Sequence, residues 1–454
     1  MKKTLLLTVT LGLASVSSLT AANIEVFLTG STAFRANCYT AATKLFVGGA
    51  PTIYYGDAAH GGSGSTFNSS TASWVMTGTP ITQLTNIQGN TLIIHGLFTG
   101  SVQGTQTVED SQKLAFPVAH GTAGANCDQY ITNTPTIGFS DASTAVTPYP
   151  ASGAACNEET VAVQPFVFAK SNGGGVMNSI SNISYEQIAF GIPAGRIPLS
   201  TWTGLAADTN TFIYMAQRTK DSGTRRTETA CAGYQYNDPV GVYIWNTINK
   251  NWYLATNSVV TSAGDGTNGV VGPAGIANAN ANWGSGYVGG GDVRTALSDN
   301  STNNLSLGFI SFGDTKSTAL GGQNWGTVIS FNGNWPTAAG VGLRGNTGTN
   351  DFSPIVRGYY PFWSEEIIVY KSDIDSAPNG DNKITTFKLG TQADPGSFIG
   401  VFNYQTKVYG GSPLTGSIEN EIELSKTAIG GATAIRLNEM QANRNTVGGI
   451  IYPF

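Results

Sequence analysis

Gln217-Arg218-Thr219-Lys220-Asp221-Ser222-Gly223-Thr224-Arg225 sits between two segments of different period. The apolar run Thr211–Ala216 before it reads as a strand, and Arg225–Ala232 after it reads as a helix. Ser222-Gly223-Thr224 is therefore a strand-to-helix turn. The first backbone N–H groups of a helix lack internal partners and lie at the positive end of its dipole. Serine and threonine add hydroxyl donors there, and glycine lets the backbone come close. Such a turn suits an anion, and Arg218 adds a positive charge four residues before Ser222.

Three more turns share this character: Gly30-Ser31-Thr32, Thr99-Gly100-Ser101 and Ser140-Asp141. They follow apolar runs at Ile24–Leu28, Thr91–Ile94 and Thr136–Phe139, and helices are expected over Ala33–Phe46 and Gly104–Asp110. Val161–Ala169 reads as a long strand and Ser184–Ile192 as a helix. Strands alternating with helices predict an α/β fold with mixed, mainly parallel sheets, whose ligands bind beyond the carboxyl ends of the strands. A lone Ser or Thr in such a turn is usually a helix cap. Four such turns in one chain, one of them beside an Arg, point to an anion site.

The Arg218 stretch resembles the Arg-x-x-x-Ser-Gly-Thr signature of the periplasmic phosphate-binding proteins of ABC importers. Asn23–Phe34 is similar to that family's opening strand and turn, Ile93–Gly104 to its second loop, and Ile137–Ala142 to its Ser-Asp-Ala segment. Ser184–Trp202, Leu307–Ile310 and Tyr360-Pro361 resemble later pieces in the same order. The resemblance implies a type II periplasmic-binding-protein-like fold with two lobes and a ligand cleft between them. It places one lobe at about 23–160 plus part of 305–454, and the other at about 161–304. It implies that Thr32, Ser101 (or Thr99), Ser222 and Thr224 donate hydroxyl hydrogen bonds to the oxyanion, with Ser31 and Ser140 beside them. The Gly223 N–H would add a donor, Arg218 the charge, and Asp141 an acceptor for a ligand proton. The implied ligand is inorganic phosphate or a related oxyanion, and the implied partner is an ABC importer in the membrane. Where the family has an acid two residues after the Arg, this chain has Lys220, with Asp221 next to it.

Lys2 and Lys3, the apolar run Leu5–Ala14 and the small residues up to Ala22 read as a cleaved signal peptide over 1–22. The run is shorter than the roughly 20 residues a membrane span needs, so a periplasmic or secreted protein is expected. Cleavage leaves 21 basic against 28 acidic residues. That balance argues against nucleic acid as a partner, and a monomer is expected. Four cysteines in an exported chain suggest disulfides, with Cys127–Cys156 the favoured pair. No cofactor or metal motif stands out, and no nucleophile for catalysis. Asp373-x-Asp375…Asp381 reads as a solvated turn before a calcium loop, Glu365-Glu366 as structural, and His95 as structural. Arg225 and Arg226 are expected to face outward on the first turn of the helix, with Arg225 strengthening the anion site as the alternative. Gly264–Gly291 and Ala319–Gly348, rich in Gly, Asn and Thr, are expected to be inserted loops. They leave open two other functions: a surface or matrix structural protein, or a secreted phosphatase.

Overall fold

The computed structural model describes residues 22–57, 71–147, 156–255, 286–316, 328–338, 351–371 and 396–402, with shorter pieces at 67, 281–282, 389, 394, 434–436, 439–444 and 451–453. The expected signal sequence, most of the two Gly/Asn/Thr-rich stretches and the acidic loop Asp373–Asp381 lie outside these residues.

The fold is of the α/β class, as expected. One large mixed sheet runs in the order Arg196–Pro198, Phe212–Ala216, Ser306–Ser311, Cys156–Lys170, Trp363–Lys371, Ile137–Ser140, Asn23–Gly30, Thr91–Leu97, Ser73–Gly78, Thr52–Tyr55. Asn23–Gly30 pairs in parallel with both Thr91–Leu97 and Ile137–Ser140. Phe212–Ala216 pairs in parallel with Ser306–Ser311. These strands are almost continuously buried, as strands covered on both faces must be.

Two long antiparallel strands join the parallel groups. Cys156–Pro165 pairs with Trp363–Lys371, and Phe166–Lys170 then pairs with Ser306–Ser311. Apolar side chains collect accordingly into two large clusters. One centres on Ile24, Val26, Leu92, Ile137, Phe139 and Phe402. The other centres on Phe168, Ile213, Trp245, Leu307, Ile310 and Phe362. Trp252 is buried in the second cluster and Trp335 packs against it.

The helices that matter start at strand ends. Ser101–Glu109 begins three residues earlier than its periodicity suggests, which puts Ser101 in its first turn. Gly223–Cys231 likewise starts early and is capped by Ser222, whose hydroxyl accepts from the Arg225 N–H at 3.4 Å. Tyr185–Ala194 opens with a capping box between Ser184 and Gln187. After Ser140-Asp141, by contrast, only the short 3-10 turn Thr144–Val146 forms, so that turn carries no α-helix dipole.

Close approach of these turns depends on glycine. Gly30 has φ 115°, and a Cβ there would lie 2.6 Å from the Phe139 nitrogen and run into its carbonyl. Gly104 lies directly over Gly30, which lets the helix Ser101–Glu109 rest on the strand end. Replacing Gly30 with Ala is therefore expected to destabilise the chain by at least ~2 kcal/mol through backbone strain and overlap. Chemical denaturation of the purified protein would check this as a lowered midpoint.

Candidate functional site

The four turns meet around Arg218 and Asp141. Arg218 is 3% exposed, and each of its three guanidinium nitrogens donates a hydrogen bond. Nε donates to the Tyr287 carbonyl at 3.2 Å and Nη2 to the Val288 carbonyl at 2.7 Å. Nη1 donates to Thr224 Oγ1 and Nη2 to Thr32 Oγ1, both at 3.3 Å. The backbone around it is pinned as well. Thr219 N–H donates to Tyr287, Tyr287 N–H donates to Gln217, and the Arg218 carbonyl accepts from Arg225 Nη1 at 2.9 Å.

Asp141 stands opposite, 1% exposed. Ser101 Oγ donates to its Oδ1, Thr224 Oγ1 to its Oδ2 at 3.4 Å, and Thr227 Oγ1 to its carbonyl at 3.3 Å. Thr224 thus bridges the acid and the base. Gly223 makes the arrangement possible, because a Cβ there would fall 2.6 Å from the Asp141 carboxyl carbon and 2.7 Å from Ser101 Oγ. The turns from the two ends of the sheet also touch through backbone, with Val102 N–H donating to the Asp221 carbonyl at 3.1 Å.

Burial raises the pKa of Asp141, while the Ser101 hydrogen bond and the Arg218 charge oppose the rise. Burial lowers the pKa of Arg218, and Asp314, Asp141 and Asp292 oppose the fall. Arg35, also buried, behaves alike beside Asp314 and Asp292. Lys220, which stands where an acid was expected, is exposed. The counter-charge to Arg218 comes instead from distant parts of the sequence. Asp292 is fixed by the Gly289 N–H at 2.6 Å and Asp314 by Ser311 Oγ at 2.7 Å.

Of the expected residues, Thr32, Ser101, Asp141, Arg218 and Thr224 share one hydrogen-bonded cluster, and Gly223 lies against it. Ser222 caps the helix at its edge. Three residues stand differently. Ser140 turns its hydroxyl back onto the Ala142 carbonyl at 2.6 Å, closing its own turn. Thr99 Oγ1 is buried without a hydrogen-bond partner, so Ser101 is the hydroxyl of that loop which reaches Asp141. Ser31 Oγ accepts from the Phe34 N–H at 3.3 Å and lies beside Glu366.

Other expectations are corrected. Arg226 is buried rather than outward, bonded to the Val146 carbonyl and Thr229 and stacked over Tyr236. Arg225 is half-buried and bonded to the Arg218 carbonyl, again not outward. No disulfide joins Cys127 and Cys156. Cys127 sits by Tyr55 and Tyr130, whereas Cys156 pairs with Lys371 on the long strand and packs near Val108 and Val369. His95 is structural, stacked on Phe27 at 4.4 Å and bonded to the Pro117 carbonyl at 2.8 Å.

Sequence reasoning passed over Arg35, Asp292 and Asp314, and it set Glu365-Glu366 aside as structural. Adjacent glutamates on a strand face opposite ways. Glu365 accepts from Thr160, and Glu366 is wholly buried near Asp141.

The computed structure is similar to solved phosphate-binding proteins. One is an ABC-type phosphate transport receptor from Vibrio cholerae, at 15% identity and a TM-score of 0.34, covering 78% of this chain and 89% of that one. A phosphate-binding protein from Stenotrophomonas maltophilia has 13% identity and a TM-score of 0.34, over 88% and 93% of the two chains. A high-affinity periplasmic phosphate-binding protein solved with phosphate has 13% identity and a TM-score of 0.37, over 91% and 96%. No protein-family model matches the sequence, and no curated protein matches it. At these identities residue roles do not transfer.

Behind the site, burial raises the pKa of Glu228 to about 8, opposed by Gln217 and Arg225. A carboxyl whose folded pKa lies above its unfolded value favours the fold most at low pH. That contribution is lost as pH rises from the unfolded value to about 8. Glu228→Gln is expected to flatten this part of the stability profile and to be more stable than the wild type above pH 8. Thermal unfolding across the pH range would check it.

Proposed function

We propose that this chain is an exported solute-binding protein that captures phosphate or a similar oxyanion and passes it to an ABC importer. In this reading the two lobes are about 23–160 with part of 305–454 and about 161–304, and the second apolar cluster extends past the latter range to Leu307, Ile310 and Phe362. The two antiparallel strands between them serve as the hinge, and the oxyanion is enclosed where the turns meet.

The observation that carries this reading is the pairing of buried Arg218 with buried Asp141 through Thr224. A guanidinium offers two parallel N–H donors that match an oxyanion. Hydroxyls from Thr32, Ser101 and Thr224 and the N–H groups at the start of the helix Gly223–Cys231 complete a neutral donor shell. In the structure these donors satisfy each other and Asp141. An oxyanion entering between Arg218 and Asp141 takes over the same hydrogen bonds. Asp141 then accepts the proton that phosphate keeps near neutral pH and that sulfate lacks. A deeply acidic chain can hold an anion this way because the donors are local.

Titration calorimetry on the mature protein with phosphate, arsenate and sulfate tests the proposal. Heat of binding is expected with phosphate and arsenate. Arg218→Ala is expected to weaken it roughly 100-fold or more, the scale of losing one partner of a buried charged pair. Asp141→Asn is expected to narrow the preference for phosphate over sulfate. Absence of heat with all three anions refutes the reading.

A further inference from the structure

Glu366 has no part in the donor shell, yet it is the most deeply placed acid near it. It lies on Trp363–Lys371 where the register shifts between Glu366 and Ile367, and the next residue, Ile367, pairs with Ser140. Glu366 therefore sits one residue beyond the Ile367–Ser140 pair, level with Asp141 on the neighbouring strand end. It is 0% exposed. No hydrogen bond of normal geometry reaches either carboxyl oxygen. A buried acid left this way is costly when ionised and tolerable when it carries its proton. The titratable groups facing it are Asp141, from the turn after Ile137–Ser140, and Cys38, from the helix Arg35–Lys44. Burial raises its pKa well above the ordinary carboxylate value, the Asp141 charge adds to the rise, and Ser31 opposes it.

We propose that Glu366 and Asp141 form a coupled acid pair that links capture of the oxyanion to uptake of a proton from solvent by Glu366. This rests on the oxyanion reading and deepens it. Two carboxyls that interact strongly titrate as a pair, so added negative charge beside them raises their hold on a proton. Asp141 stays the acceptor toward the ligand, since Ser101 and Thr224 donate to its carboxyl oxygens and Arg218 opposes the rise in pKa that burial causes. Glu366 takes the proton, because it is wholly buried with only Ser31 to steady a charge, whereas Asp141 has Ser101, Thr224 and Arg218. The bound state then buries one anionic ligand above one ionised acid rather than two. The ligand favoured is the one whose capture the pair can balance.

The test is calorimetry of phosphate binding to the full mature chain at pH 8, in three phosphate-free buffers of different ionisation enthalpy. The dependence of heat on buffer gives the protons taken up. Phosphate's own ionisation contributes equally to wild type and Glu366→Gln and cancels between them. Wild type is expected to take up measurably more protons than Glu366→Gln, since each group contributes its change in occupancy. Equal uptake by the two proteins overturns the proposal while leaving the oxyanion reading standing. No phosphate heat in wild type sinks both. A second measurement needs no variant. Infrared difference spectra of wild type with and without phosphate are expected to gain a protonated-carboxyl band, and a spectrum without that gain contradicts the coupling.

Discussion

Arg218 is 3% exposed, and a charge buried so deeply cannot be left to itself. Removing such a charge from water is expensive unless hydrogen bonds and opposite charge replace the lost solvation. For Arg218 the replacement comes from several directions. Backbone carbonyls of Tyr287 and Val288 take its inner N–H groups, and threonines from both ends of the sheet take its outer edge. Asp141, Asp292 and Asp314 supply counter-charge. The carbonyls and the two distant acids fix the group; in the proposed function Thr32, Thr224 and Asp141 are the partners that an oxyanion shares.

The same constraint explains why the turns are rich in glycine and small polar residues. Groups must come together from Gly30–Thr32, Gly100–Ser101, Ser140-Asp141 and Arg218–Thr224. Gly223 leaves room for the Asp141 carboxyl, and Gly30 lets the first strand end against Phe139. The sheet brings these turns into line because three of the strands that precede them run parallel and side by side. The long strand Cys156–Lys170 ties that set to the strands that carry Arg218.

Much of this was legible in the sequence. The strand and helix signals around Ser31, Ser101 and Ser222 were strong because hydrophobic runs ended in cap residues, and the elements form there. Arg218, Ser101, Thr224 and Asp141 could be named because each is tied to a turn with a local reason to hold an anion. What local signals could not show was which hydroxyl would turn back on its own loop. Ser140 and Ser101 look alike in sequence, but one closes its turn and the other reaches Asp141. The partners of Arg218 were hidden for a different reason. An acid was expected two residues along, where Lys220 stands exposed, and the acids that balance the charge lie more than seventy residues away at Asp292 and Asp314. The Cys127–Cys156 pairing failed because nearness in sequence did not bring the two thiols to one place.

The central claim is that Arg218 and Asp141 face each other to hold an oxyanion between them. The most direct measurement is a crystal structure of the mature chain grown with phosphate at low concentration. The account predicts one phosphate bonded to Arg218, Thr224 and Ser101, with a proton shared toward Asp141. Phosphate bound elsewhere, with Arg218 still bonded to Thr32 and Thr224, would contradict it.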